Sequence, residues 1–179
     1  MLWFDVMYAL ITGGSGSGKS EYAEKLLEGC QNKIYLATMR PFGREARERI
    51  ERHRQQRLGR GFSTLERYND VASLTETELP KGSSVLLECM GNLVANELFE
   101  VGEDGLSGRM EAALELLQIR CENLVVVTND VFCGGERHSP EVAAYARLLA
   151  EANRMAASRC DLVIEVVCSI PLTLKGASL

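Results

Sequence analysis

The chain has 179 residues, of which 46% are hydrophobic and 25% charged, and its formal net charge is -5. This length fits one domain with a sizeable core, and the composition is typical of a globular protein. An acidic chain lacks the broad basic face that a general nucleic-acid binder needs, so no nucleic-acid partner is expected. We therefore predict a single domain over residues 1–179.

The six cysteines are scattered along the chain without a Cys-x-x-Cys pair, so a zinc site is not expected. Most of them lie in apolar runs, which is typical of buried free thiols in a reducing cytosol. The apolar N-terminal segment has no basic region and is interrupted by Asp5, unlike a signal peptide. No apolar run is long enough to span a membrane. These features favour a cytoplasmic protein without a membrane partner.

Short apolar runs alternate with longer segments of helical periodicity, which indicates an α/β organisation. Strands are predicted at 8–12, 33–37, 62–66, 84–88, 124–127 and 162–167, followed by a short tail. Helices are predicted at 19–28, 44–57, 69–78, between 88 and about 99, from a cap at 107, and from a cap at 139 to 158. This alternation predicts a doubly wound, mostly parallel sheet with helices on both faces.

A glycine-rich loop connects the first predicted strand to the first predicted helix. Its sequence, GGSGSGKS, matches the pattern G-x-x-x-x-G-K-[ST]. Glycines allow successive backbone N–H groups to point at one anion, and a helix N-terminus favours phosphate. In this pattern the lysine reaches the β- and γ-phosphates and the following hydroxyl binds Mg²⁺. The loop predicts nucleoside triphosphate binding through Gly13, Gly14, Ser15, Gly16, Ser17, Gly18, Lys19 and Ser20.

Two further predicted strands end in polar residues. Glu88 follows an apolar strand, at the position where P-loop enzymes carry an acid for the Mg²⁺ shell. Asn129 and Asp130 follow the next core strand, where polar residues line the ligand crevice of open α/β sheets. The alternative for Glu88 is an acid at a strand end that faces solvent. The alternative for Asn129 and Asp130 is ordinary turn chemistry.

Only two histidines are present, and one of them lies in an arginine-rich predicted helix. Arg49, His53 and Arg57 are one turn apart and share a face. Flanking guanidinium groups keep the imidazole neutral and can hold a polyphosphate, an arrangement that suits a covalent nucleotidyl-histidine. An exposed charged helix with an incidental histidine is the alternative. An RNA-binding helix is less favoured because it lacks aromatic residues for base stacking, and His138 is expected at the surface.

In order and spacing, these motifs resemble the bifunctional adenosylcobinamide kinase / adenosylcobinamide-phosphate guanylyltransferase family of cobalamin biosynthesis. The similar residues lie along nearly the whole chain, and they are TGGSGSGKS-x-YAE, IYLAT, RI-x-x-H, Thr64-x-Glu66, VLLEC, Asn96, VVVTND, Asn153 and VV-x-x-x-PL-x-LK. The phosphate-loop pattern is unspecific by itself. Its combination with RI-x-x-H and the PL-x-LK segment is much more specific.

The resemblance implies a RecA-like P-loop fold and two reactions. The family phosphorylates the aminopropanol hydroxyl of adenosylcobinamide and then transfers GMP from GTP to that phosphate, through a guanylyl group on the helix histidine, here His53. It implies GTP or ATP and Mg²⁺ as ligands, with Lys19 catalytic, Ser20 and Glu88 at the metal, and Arg49, Arg57, Glu66 and Glu88 at the nucleotide. A homo-oligomer, usually a trimer, is implied as well.

Some positions depart from the family pattern. Arg52 replaces the first histidine of a pair, and Glu151 replaces an arginine. The proline and tryptophan that usually follow the helix are absent, and Leu58 and Phe62 stand in their place. The segment 129–132, NDVF, replaces Asn-Glu-Val-Gly. Because these changes fall in regions of expected corrinoid contact, two alternatives stay open. One is a kinase for another small molecule with a vestigial histidine site, and the other is a non-catalytic nucleotide-binding regulatory protein.

Overall fold

A computed structural model describes residues 7–130 and 139–177, apart from the side chain of Gln56. The strands are β1 Met7–Thr12, β2 Lys33–Ala37, β3 Phe62–Glu66, β4 Ser83–Glu88, β5 Cys121–Val127, β6 Leu162–Val167 and β7 Ile170–Lys175. The α-helices are α1 Lys19–Leu26, α2 Gly43–Arg57, α3 Met90–Asn96, α4 Leu106–Arg120 and α5 Pro140–Arg159. The predictions for residues 1–6, Cys133, His138 and the 131–138 part of the loop lie outside the described residues.

The strands form one seven-stranded sheet in the order β3-β2-β4-β5-β1-β6-β7. Every neighbouring pair is parallel except β6 and β7, which are antiparallel. The predicted mostly parallel α/β fold is therefore confirmed. Because parallel strands share one carboxyl edge, the ends of β1, β2, β4 and β5 lie side by side.

Residues alternate along the strands between two hydrophobic cores, one on each face of the sheet. Leu36 and Leu87 belong to the core that is covered by α3, α4 and α5. Tyr35 and Leu86, their chain neighbours, belong to the core on the opposite face, which α1 covers. Strands that are buried on both faces are near-continuous hydrophobic runs, as the sequence of β4 and β5 shows. Among the described residues, no helix is long and apolar enough to cross a membrane.

The predicted helix at 69–78 is wrong, because the structure has only a 3₁₀ turn, Val71–Ser73, in this segment. Asp70, which precedes this turn, adopts a left-handed backbone (φ 48°), so no helix can run on from a cap at Asn69. Glu78 then accepts hydrogen bonds from the backbone N–H and the hydroxyl of Thr75, and so favours a separate turn. Leu79, which follows, is fully buried in the core.

Two other predictions also need correction. Helix α4 begins at Leu106 and has Gly105, not Ser107, at its N-cap position. The residues after β6 form β7, which pairs with β6 as a β-hairpin, where only a short tail was predicted. The two turn residues, Cys168 and Ser169, have φ values of 50° and 64°. Hairpin turns of this kind favour glycine and asparagine, so the sequence carries no ordinary turn signal here.

Candidate active site

The glycine-rich loop lies between β1 and α1, as predicted, and the β6–β7 turn packs against it. The backbone N–H of Ser169 donates a 2.8 Å hydrogen bond to the Ser17 carbonyl. Gly13 has a φ of 148°, and a Cβ built there would lie 2.5 Å from the Val166 carbonyl oxygen. Only glycine fits so close to a neighbouring backbone. The loop conformation is therefore supported by β6 and the turn that follows it.

Lys19 is buried at the start of α1, and its Nζ donates a 2.9 Å hydrogen bond to the Gly14 carbonyl. Burial lowers the pKa of its ammonium group, while the nearby Glu88 carboxylate opposes that shift. A cation held against the loop backbone is suited to binding the phosphates that the loop amides surround.

The acid predicted for the metal site lies next to the hydroxyl of the phosphate loop. Ser20 donates a hydrogen bond of 2.9 Å from its Oγ to Oε1 of Glu88. Burial raises the pKa of the Glu88 carboxyl, and the Ser20 hydrogen bond and the Lys19 charge oppose that shift. Its Oε2 is buried and has no hydrogen-bond partner among the described residues. A buried, unpaired carboxylate oxygen is costly, so this atom indicates a site for a cation.

One face of α2 borders the same region. A pocket joins this face to the ends of β2, β4 and β5, and its walls are Tyr35, Met39, Arg49, Ile50, His53, Arg57, Glu88, Cys89, Asn92 and Asn129. The predicted common face of Arg49, His53 and Arg57 therefore shares a pocket with Glu88, which is hydrogen-bonded to Ser20 of the phosphate loop. Most other side chains of α2 are exposed.

The environment of His53 keeps its imidazole neutral. Burial lowers its pKa most, and the charges of Arg49, Arg57, Arg52 and Lys19 lower it further. Neutral imidazole has a free nitrogen lone pair and acts as a nucleophile. The histidine that the sequence placed among arginines is thus chemically suited to attack a phosphorus atom.

Arg57 is buried and its guanidinium lies over the ring of Tyr35, with Cζ 3.3 Å from the ring centroid. Sequence reasoning missed Tyr35 as a pocket residue, although it predicted the strand. The alternation in KIYLA gives Tyr35 the face opposite to Ile34 and Leu36, but it does not say what covers that face.

Glu66 lies at the end of β3 and is not among the pocket residues. Its carboxylate accepts hydrogen bonds from Arg54 (2.7 Å) and from the Tyr68 hydroxyl (2.8 Å), and the residue is exposed. Asn96, another motif residue, donates to the carbonyls of Thr38 and Tyr68, each at 2.8 Å. This amide ties the end of β2 to the segment after β3.

The end of β5 contributes to the pocket through Asn129, whose side chain donates to Cys89 Sγ at 3.8 Å. Thr128, one residue earlier, is fully buried and donates a 2.7 Å hydrogen bond to Asn153 Oδ1. Asn153, which the resemblance singled out, therefore supports the strand end from α5. Asp130 closes the described part of this loop.

Comparison with known proteins agrees with this geometry. The sequence profile of the family described as "Cobinamide kinase / cobinamide phosphate guanyltransferase" matches residues 9–174. The chain is 30% identical over 182 residues to the bifunctional adenosylcobalamin biosynthesis protein CobU of Escherichia coli, covering 94% of this chain and 100% of that protein. It is 30% identical over 174 residues to the CobP protein of Pseudomonas aeruginosa, covering 97% and 100%.

A solved structure of a protein from Pyrococcus horikoshii OT3 superposes with a TM-score of 0.54 at 10% identity, covering 98% of this chain and 89% of that chain. This likeness concerns the fold alone. The profile match and the full-length relatives concern the family: the chain belongs to the cobinamide kinase / cobinamide phosphate guanyltransferase family.

Proposed function

We propose that this protein phosphorylates adenosylcobinamide and then transfers GMP from GTP to adenosylcobinamide phosphate, in cobalamin biosynthesis. The observation that carries the proposal is the pocket that the α2 face, with Arg49, His53 and Arg57, shares with Glu88, the acid that accepts a hydrogen bond from Ser20 of the phosphate loop. A kinase needs the loop and the acid, and a guanylyltransferase needs the histidine beside them. Membership of the family supplies the substrate class.

In the kinase step, the loop amides from Gly13 to Ser20 and the ammonium of Lys19 bind the triphosphate of GTP or ATP. The hydroxyl oxygen of the corrinoid side chain attacks the γ-phosphorus, and the bond from that phosphorus to the β-phosphate oxygen breaks. The nucleoside diphosphate leaves, and the hydroxyl proton is lost to solvent. Phosphoryl transfer of this kind needs mainly positioning and charge stabilisation, which the loop and Lys19 provide.

We assign the Mg²⁺ site to Ser20 and Glu88. A hydroxyl and a carboxylate are oxygen ligands of the kind Mg²⁺ prefers, and the unpaired Oε2 of Glu88 supports this assignment. The chemistry that Mg²⁺ would supply at these two residues is neutralisation of charge on the phosphate oxygens. Glu88 would hold the ion from the end of β4, and Ser20 would hold it from the first turn of α1.

In the guanylyl step, a neutral nitrogen of His53 attacks the α-phosphorus of GTP. A nitrogen–phosphorus bond forms, the bond from the α-phosphorus to the β-phosphate oxygen breaks, and pyrophosphate leaves. A phosphate oxygen of the corrinoid then attacks the same phosphorus, and the nitrogen–phosphorus bond breaks to give the GDP-corrinoid. Arg49 and Arg57 steady the negative phosphates in both halves of the reaction.

Three further assignments complete the proposal. Glu66 is proposed as a nucleotide contact from the carboxyl edge of β3, which it shares with the pocket strands. The protein is proposed to be cytoplasmic, and to act as a homo-oligomer, a trimer by resemblance. The oligomer is supported by β7, an edge strand whose alternate residues Ile170, Leu172 and Leu174 are apolar and exposed.

The first experiment is incubation of the protein with Mg²⁺ and GTP labelled on the α-phosphate, followed by a test for acid-labile, base-stable label on the chain. We expect label on the wild type and none on His53→Ala. The matched control is His138→Ala, which removes the other histidine and should keep the label. Phosphorylation of adenosylcobinamide should persist in His53→Ala.

Other results would change the assignment. A His53→Ala variant that still formed the GDP-corrinoid would rule out the covalent role of this histidine. Phosphorylation without label in the wild type would indicate a kinase alone. GTP binding without either reaction would indicate a regulatory nucleotide-binding protein.

A further inference from the structure

The contact between Arg57 and Tyr35 joins the end of an exposed helix to a rigid strand. Tyr35 is buried in the middle of β2, and β2 pairs with β3 on one side and β4 on the other. Arg57 is the last residue of α2, and its Cζ lies 3.3 Å from the centroid of the Tyr35 ring. A guanidinium stacks flat on an aromatic face, so the ring fixes the plane in which the N–H groups of Arg57 point.

The hydrogen bonds of Arg57 are incomplete in a way that indicates an anionic ligand. Its Nη1 is buried and has no hydrogen-bond partner within the described ranges. Glu24, a buried acid on α1, feels the charge of Arg57 but accepts its 2.5 Å hydrogen bond from Arg60. A buried guanidinium N–H without an acceptor is costly in a folded protein, and a phosphate oxygen would satisfy it.

We propose that Tyr35 is a positioning residue, whose ring holds the guanidinium of Arg57 toward the phosphate chain of the nucleotide in the pocket. The inference rests on the proposed function only in naming the ligand as a polyphosphate. Tyr35 acts through its ring face, and its hydroxyl is not required. The tyrosine therefore determines how well one arginine binds phosphate, and it takes no part in bond making.

The test is a double-mutant cycle on pyrophosphate binding, measured by isothermal titration calorimetry with Mg²⁺ present. Tyr35→Leu removes the ring, and we expect pyrophosphate to bind about tenfold more weakly. Arg57→Gln should cause at least the same loss. Adding Tyr35→Leu to Arg57→Gln should cause no further loss, since the ring acts through the arginine. Tyr35→Phe keeps the ring and should restore wild-type affinity.

The control is Phe62→Leu, which removes the ring beneath another basic side chain. Lys33 Nζ lies 5.2 Å from that ring, at the start of β2 and so at the opposite edge of the sheet. Pyrophosphate should bind this variant as it binds the wild type. If Tyr35→Leu does not fold, Tyr35→Met offers a second ring-free side chain, and thermal unfolding identifies the folded variants.

Two results would overturn the proposal. One is wild-type affinity for pyrophosphate in a folded ring-free variant. The other is a further loss of pyrophosphate affinity when Tyr35→Leu is added to Arg57→Gln, as large as the loss that Tyr35→Leu causes alone. The effect of Tyr35 would then be independent of the arginine. The titration measures pyrophosphate binding and no nucleotide chemistry. It therefore tests the role of Tyr35 even if the guanylyltransferase assignment is wrong.

Discussion

The Ser20 hydroxyl donates a 2.9 Å hydrogen bond to Glu88 Oε1, across 68 positions of sequence. This bond joins the first turn of α1 to the end of β4, although β5 lies between β4 and β1 in the sheet. It brings together the two side chains proposed as Mg²⁺ ligands. Because Glu88 lies outside the phosphate loop, a substitution of Glu88 should weaken metal binding and leave the phosphate-binding amides intact.

Replacing Glu88 by Gln should raise the Mg²⁺ concentration needed for half-maximal kinase activity by roughly 10- to 100-fold. The amide keeps the size of the side chain and removes the charge that attracts the cation. The matched control is Glu21→Gln, since Glu21 lies one residue from Ser20 but forms only an exposed ion pair with Lys25. An unchanged Mg²⁺ requirement in Glu88→Gln would refute the assignment of this ligand.

Replacing Lys19 by Ala should weaken GTP binding by roughly 10- to 100-fold and abolish both reactions, since the loop loses its only side-chain cation. Fluorescence titration with a labelled nucleotide measures the affinity. Lys25→Ala, on the exposed side of the same helix, removes an ammonium group from a surface ion pair and should leave binding unchanged. Similar affinities for the two variants would contradict the role of Lys19.

The rate at which α-labelled GTP marks the protein should depend on pH through His53. Its folded pKa lies below the ordinary value, about 6.5, because of burial and of Arg49, Arg57, Arg52 and Lys19. The imidazole is therefore still mostly neutral at pH 6.5, and the midpoint of the decline in initial rate should lie below that pH.

Arg52→Gln tests the cause of that shift. Arg52 is exposed, and its loss removes a positive charge that disfavours the imidazolium. The pKa should rise, so the decline in labelling should begin at higher pH than in the wild type. A midpoint that moved to lower pH in Arg52→Gln, or a wild-type midpoint above pH 6.5, would contradict this account.

Replacing Gly13 by Ala should destabilise the protein by about 1–3 kcal/mol, measured by urea unfolding. The backbone there has a φ of 148°, and the new methyl group would meet the Val166 carbonyl oxygen. Gly14→Ala is the matched control, since a Cβ at Gly14 has no neighbour within 4 Å among the described residues. Equal losses of stability would show that the close approach of β6 does not constrain the loop.

Replacing Leu172 by Lys should dissociate the proposed oligomer, measured by light scattering of the eluting protein. The wild type should have three times the 19.8 kDa mass of the chain, and the variant the mass of one chain. Ile119→Lys changes a more exposed apolar residue on α4 and should leave the mass unaltered. A monomeric wild type would rule out the trimer.

The sequence by itself determined the features that rest on local chemistry. The spacing of Gly13, Gly18, Lys19 and Ser20 defines the phosphate loop, because a strand, a tight turn and a helix start are all local. The four-residue spacing of Arg49, His53 and Arg57 defines a common face on any helix. Strands β2, β3 and β6 were predicted with the bounds that the structure has.

Only the tertiary structure decided which of these features meet. The order of the strands brings Glu88 to Ser20, and the face of β2 that lies under α2 brings Tyr35 to Arg57, while Glu66 lies one strand beyond the pocket. The hairpin of β6 and β7 was missed because its turn residues carry no local signal. Contacts between distant segments depend on how whole elements pack, and the spacing of residues within one segment does not encode that packing.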